Sequence, residues 1–171
     1  MEKYVMAALS LLLFASFFLL AARAWQKRKQ DQTAKFEAPL EALDYFGELI
    51  SKSPGFYVAT TFAESHLERI SAYGLGARGF CQILVFGEGV LIVRKGERPL
   101  AIAKSALDDI SANQVAIDKA VEANGLMSIT WNQSSSSLAT HLRIVDRDKR
   151  TQILDAINSL LAQSETGAVS K

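Results

Sequence analysis

Within residues 79–103, GFCQILVFGEGVLIVRKGERPLAIA, two apolar runs meet across a short connection that contains glycine. Residues 80–86 and 90–93 have the branched and aromatic content that suits a pleated sheet, and Gly87, Glu88 and Gly89 offer the positive-φ positions of a tight hairpin. A second turn over residues 96–99 starts the apolar run 100–103. A chain built on this hairpin must bury at least one face of an antiparallel sheet.

The flanking sequence extends the same sheet. Residues 56–62, FYVATTF, read as a strand, residues 64–72 as about two helical turns, and residues 115–121 as a further strand after Leu107-Asp108-Asp109-Ile110. Asn124-Gly125 is a hairpin signal, and the next run alternates: Met127, Ile129 and Trp131 point one way while Ser128, Thr130 and Asn132 point the other. Ser134, Ser135, Ser136 and Ser137 form a solvated hairpin tip, after which Leu138, Leu142 and Ile144 alternate with His141 and Arg143. Ile153, Leu154, Ile157, Leu160 and Leu161 mark one stripe of a final helix that Asp146 or Asp148 can cap.

Residues 5–22 carry no charge and read as a membrane span. At about 1.5 Å per residue, Tyr4 and Trp25 stand about 32 Å apart, near the hydrocarbon thickness, where interfacial aromatics belong. A cleaved signal peptide is the rival, supported by Ala22-Arg23-Ala24; the weakly basic start, the long apolar run and the basic residues that follow oppose it. Lys3 stands alone on the amino side, whereas Arg23, Lys27, Arg28, Lys29 and Lys35 follow the span, which predicts an outside amino terminus and a cytoplasmic domain at the cell membrane. The basic cluster Arg23, Lys27, Arg28 and Lys29 fixes topology and can also meet anionic lipid.

The expected organisation is an anchor over 1–25, a juxtamembrane linker with little fixed structure over 26–38, an amphipathic helix over 39–55, a β domain over 56–162 and a disordered tail over 163–171. The helix rests on Leu40, Leu43, Phe46, Leu49 and Ile50, with Glu41, Asp44 and Glu48 on its polar side and Pro54-Gly55 at its end.

With 19 basic and 18 acidic residues the net charge is +1, so the composition gives no argument for a nucleic-acid partner. The single cysteine, Cys81, excludes an intrachain disulfide and a thiolate metal cluster, and reads as a small buried hydrophobe. His141 falls on the polar side of a strand and reads as solvated, and His66 has no partner at ligand spacing. No cofactor, metal set or catalytic constellation can be assembled from the sequence. Residues 74–79, GLGARG, match the spacing G-x-G-x-x-G, but a strand follows where a dinucleotide site needs a helix N-terminus. The turn therefore reads first as backbone geometry, and second as a candidate binding turn in which Gly74, Gly76, Arg78 and Gly79 form an anion nest.

About seven strands in meander order followed by one helix describe a mainly β fold, a PH-like two-sheet antiparallel sandwich or barrel capped by a C-terminal α-helix, with a lipocalin-like barrel as the nearest alternative. Tyr57-Val58-Ala59-Thr60-Thr61-Phe62, Gly74-Leu75-Gly76-Ala77-Arg78-Gly79, the run 89–93, Pro99-Leu100 and Ala156-Ile157-Asn158 resemble the actinobacterial single-span membrane proteins that carry a bacterial PH-like domain. The resemblance covers the anchor and residues 56–162. It implies a transporter or export label without an established activity. Phosphoinositide-gripping PH domains use a basic pair late in the first strand and the following loop, but residues 56–62 hold no Lys or Arg, so that binding is not implied. The expected function is a membrane-anchored, non-enzymatic interaction or scaffold module whose partner is a protein or a second copy. The alternatives are an accessory subunit of a transport or export complex, an enzyme, and, on signal cleavage, a secreted small-ligand binder.

Overall fold

The computed structural model describes residues 2–35, 46–112 and 126–168. Helix α1 (Glu2–Lys35) is continuous, and its portion Lys3–Lys27 is long and apolar enough to cross a membrane, with none of its apolar window buried against the domain. The expected unstructured linker is corrected as far as Lys35: Gln, Lys, Arg and Ala are good helix formers, and extending an existing helix avoids the cost of nucleation. Residues 36–38 lie outside the described residues.

Among the described residues eight strands follow: β1 (Leu49–Phe62), β2 (Ser65–Arg69), β3 (Gly79–Phe86), β4 (Gly89–Arg94), β5 (Leu100–Ala103), β6 (Leu107–Ser111), β7 (Leu126–Gln133) and β8 (Ser136–Arg143). All pairings are antiparallel, in the order β5-β4-β3-β1-β8-β7-β6, with β2 attached to β1 off this path. The path gives the mainly β sandwich expected from the sequence, and two of the sheet's strands, β2 and β6, are additions to that reading.

Strand β1 holds the two halves together. Its first part pairs with β3, from Leu49↔Phe86 to Tyr57↔Gly79, and its second part pairs with β8, from Phe56↔Arg143 to Phe62↔Leu138. The register against β8 shifts between Tyr57 and Ala59, and a bulge of this kind bends a strand and changes which side chains face inward. Tyr57 and Thr60 accordingly both reach the interior, 2.6 Å apart at their hydroxyls.

The expected helix over 39–55 is corrected for its last seven residues, which belong to β1. Gly47, at φ +82°, sits outside the helical region just after the buried Phe46, whose ring centroid lies 5.6 Å from that of Phe86. Pro54 lies opposite Gln82 of β3 in the part of β1 that precedes its pairing with β8, which starts at Phe56, so it sits where β1 has one paired edge. The remainder of that helix, residues 39–45, lies outside the described residues, as do the expected strand 115–121 and the Asn124-Gly125 turn.

Two further expectations change. Residues 65–69 form β2 instead of a helical turn, because a segment this short gains more by pairing with β1 than by nucleating a helix, and the Ile70 amide extends the pairing by donating to the Thr60 carbonyl at 2.9 Å. Helix α2 (Arg147–Ala168) runs beyond the expected start of a disordered tail at 163, and the Lys104 ammonium donates to Gln163 Oε1 at 3.0 Å. Asp146, and not Asp148, caps α2: its Oδ1 accepts from the amides of Asp148 and Lys149 at 3.0 and 3.2 Å. Ile153, Ile157 and Leu160 are fully buried as α2 packs over β1 and β6, joining Ile83, Ile92, Met127, Ile129, Leu138 and Leu142 in one core.

Candidate interaction surface

Antiparallel pairing brings the end of β1, the start of β3, the β4–β5 turn and the β7–β8 turn to one end of the sandwich. The sequence-predicted turn lies in the β1–β3 connection at this end. It opens with the 3-10 turn Ala72–Gly74, in which Tyr73 (φ 53°) and Gly74 (φ 72°) are consecutive left-handed residues. At Gly74 a Cβ would also run into the Glu97 carboxylate.

Two amides of this turn and the Leu75 carbonyl are committed to the fold. Leu75 N–H donates to Ala72 at 3.0 Å and Ala77 N–H to Gly74 at 3.1 Å, so neither amide is offered to an anion. The Leu75 carbonyl accepts from the Tyr57 hydroxyl at 2.8 Å and from Thr60 N–H at 2.9 Å. Gly76 is not at positive φ; it is required by close approach, since an added Cβ would lie 2.9 Å from the Ile70 carbonyl oxygen. Gly79 opens β3 opposite Tyr57, with nothing within 4 Å of an added Cβ, and Arg78 is exposed.

Arg94 ties this turn to the next. It lies on the inward face of β4 with Val90 and Ile92 and is 5% exposed. Its Nη1 donates to the Gly74 carbonyl at 2.7 Å and its Nη2 to the Arg98 carbonyl at 2.8 Å, while the guanidinium stacks 4.7 Å from the Tyr57 ring centre. Burial pushes the Tyr57 phenol up to about 12, against the opposing pull of the Thr60 hydrogen bond and the Arg94 charge. Behind it, Thr60 Oγ1 lies 2.9 Å from Thr140 Oγ1, which also accepts from Trp131 Nε1 at 2.9 Å. This network crosses β1, β8 and β7 and holds the loop end from below.

On the other side of the same end, Phe62, Glu64, Ser65, Glu68, Ser135, Ser136 and Ser137 line an open polar cleft of about 320 Å³. The serine run read as a hairpin tip forms one wall and the β1–β2 turn the other.

His141 is corrected. It is 1% exposed because β7 and β8 are buried on both faces, with its Nε2 3.1 Å from Thr61 Oγ1 and its ring centre 6.2 Å from that of His66. Burial, with lesser contributions from His66 and Arg69, lowers its pKa to about 4. Cys81 is buried, and burial pushes its thiol up to about 11, which keeps it protonated and unreactive. Among the described residues no group of three or more His, Cys, Asp and Glu is placed to hold a metal ion.

The basic cluster is distributed along α1. Arg23 and Lys27 are exposed there, and Arg28 and Lys29 continue the same helix. Sequence reasoning missed Arg94, although its signal was present: Val90, Ile92 and Arg94 fall on alternate positions of one strand, so the period that buries the first two buries the third.

A bent antiparallel sheet closed by one C-terminal helix, with three loops gathered at one end, defines the PH-like class of β-sandwich. Residues 37–158 match the family described as Bacterial PH domain-like, well over half of the chain, and the chain belongs to that family. No curated protein matches it.

Proposed function

We propose that this chain is a membrane-anchored, non-enzymatic PH-like interaction module that holds a protein partner at the cytoplasmic face of the cell membrane. The observation that carries this reading is the union, in one chain, of a Bacterial PH domain-like domain with an apolar helix of membrane-spanning length. The excess of Lys and Arg after the span favours a cytoplasmic domain. The loop end supplies the contact surface for that partner at the polar cleft of Glu64, Glu68 and Ser135. Two carboxylates and four serines around Phe62 suit a basic peptide segment with an apolar side chain.

The test is cross-linking of the full chain in native membranes followed by purification in detergent, beside the double variant Glu64→Lys, Glu68→Lys. A stoichiometric partner that the double variant loses supports the reading. Recovery of additional copies of the same chain identifies self-association as the interaction. Recovery of the monomer alone overturns the proposal.

A further inference from the structure

The loop end carries a second surface, formed where the turn 74–79 meets the β4–β5 turn. Arg94, buried between them, fixes their separation by holding one carbonyl from each, Gly74 and Arg98. The Lys95 amide donates to the Phe80 carbonyl at 3.2 Å, which brings the β4–β5 turn against the start of β3. Arg78, Lys95 and Arg98 are exposed on this surface, and Phe80 is 74% exposed although it is a large aromatic at the beginning of a strand. The exposed Glu97 is the acidic residue among them, and its carboxylate is turned against Gly74. Helix α1 lies beside the 3-10 turn Ala72–Gly74, so this surface is adjacent to the element that enters the bilayer.

From this juxtaposition we infer that Arg78, Lys95, Arg98 and Phe80 dock the domain onto the anionic headgroup layer around its own anchor. The partner is the lipid surface, recognised by charge and by one inserted ring, and not a headgroup held in a pocket. Three cations are too few to bring a free domain to a membrane, but a domain tethered by α1 meets the surface at high effective concentration, and a weak contact is then occupied for much of the time. Docking would fix which way the cleft at Glu64 and Glu68 faces. This inference rests on the proposed membrane anchorage.

The test uses the full chain in lipid nanodiscs made of phosphatidylcholine alone or with one third phosphatidylglycerol. A spin label is placed at Gly79→Cys, where an added side chain meets open space, while the buried Cys81 stays unlabelled. In phosphatidylglycerol discs the label should gain contact with lipid-soluble oxygen and lose contact with a water-soluble nickel chelate, by at least about threefold in their accessibility ratio. High salt, and separately the triple variant Arg78→Glu, Lys95→Glu, Arg98→Glu, should abolish the change. These are surface positions, and an unchanged thermal melt of the triple variant confirms that the fold is retained. Equal accessibility in the two lipid compositions, as burial against a second copy would give, overturns docking. So does a lipid effect that survives the triple variant. Alkaline carbonate extraction separates the two levels: a chain retained in the membrane pellet but lacking the lipid effect loses the docking inference alone, whereas a chain released by carbonate loses the anchor and docking together.

Discussion

The Arg94 guanidinium carbon stands 4.7 Å above the centre of the Tyr57 ring, joining β4 to β1 through a buried cation–π contact. The contact explains how a 5% exposed arginine is tolerated: its charge is shared between the ring face and the carbonyls of Gly74 and Arg98. Arg94→Ala would take the guanidinium donor from both carbonyls, leaving Gly74 with the Ala77 amide, and would open space beside Tyr57. The expected loss is about 2–4 kcal/mol. Arg94→Lys should recover only part of it, because an ammonium cannot reproduce the planar fork that reaches both loops. Lys95→Ala, on the exposed neighbour, should stay within about 0.5 kcal/mol. Chemical denaturation of the full chain in a neutral detergent measures all three, and equal stability for Arg94→Ala and Lys95→Ala would refute the clasp.

Gly76 and Gly79 share one motif spacing but differ in what surrounds them. At Gly76 an added Cβ meets the Ile70 carbonyl oxygen at 2.9 Å, and backbone cannot rotate aside as a side chain does. Gly79 faces open space. Gly76→Ala should therefore cost about 1–3 kcal/mol, and Gly79→Ala should fall within about 0.5 kcal/mol of the parent. Thermal melts recorded side by side decide the matter; a reversed order of the two variants contradicts the close-approach account.

His141 gives the domain a calculable response to acid. Its folded pKa of about 4 lies below the ordinary value of 6.5, so the unfolded chain accepts a proton that the folded chain refuses. The stability conferred by the neutral ring is fully present above about pH 6.5 and is lost progressively as the pH falls toward 4. At about 1.4 kcal/mol per pKa unit, the loss is on the order of 2–3 kcal/mol. His141→Gln removes the titration and keeps a polar group for Thr61. The stability gap between parent and variant should narrow by that amount between pH 7 and pH 4, and subtraction cancels the carboxylates common to both. A gap that stays constant across this range would rule out His141 as the titrating group.

What could be read in advance follows the range of the forces involved. The hairpin of β3 and β4, the alternation of Met127, Ile129 and Trp131, and the stripe of α2 are set by neighbours a few residues apart, and periodicity displays them directly. The segment 49–55 was misread because Leu49 and Ile50 fit a helical stripe while the deciding partner, β3, lies about thirty residues away. The same holds for β2, whose pairing with Thr61 and Phe62 has no local signature. His141 was misread because alternation identifies two faces of a strand without revealing that both are covered. The candidate turn was legible as glycine geometry, but its attachment through Tyr57 and Arg94 joins residues 18 and 20 positions apart in the chain, and only the folded sheet brings them together.

The membrane topology yields the prediction with the most direct bearing on the proposed function. Lys3 precedes the apolar stretch, whereas Arg23, Lys27, Arg28, Lys29 and Lys35 follow it on the same helix. Holding that many cations on the translocated side is opposed by the positive-inside bias, so the domain should remain in the cytoplasm with the amino terminus outside. Fusions after Lys171 test this: a fluorescent protein should mature and fluoresce, and alkaline phosphatase, which needs an oxidising compartment, should stay inactive. Replacing Arg23, Lys27, Arg28 and Lys29 with Asn while adding four Lys residues before Tyr4 should reverse both signals, because the asymmetry, not the apolar run, sets the direction. An active phosphatase on the parent chain, or a mature protein that begins near Trp25, would place the domain across the membrane and remove the cytoplasmic reading.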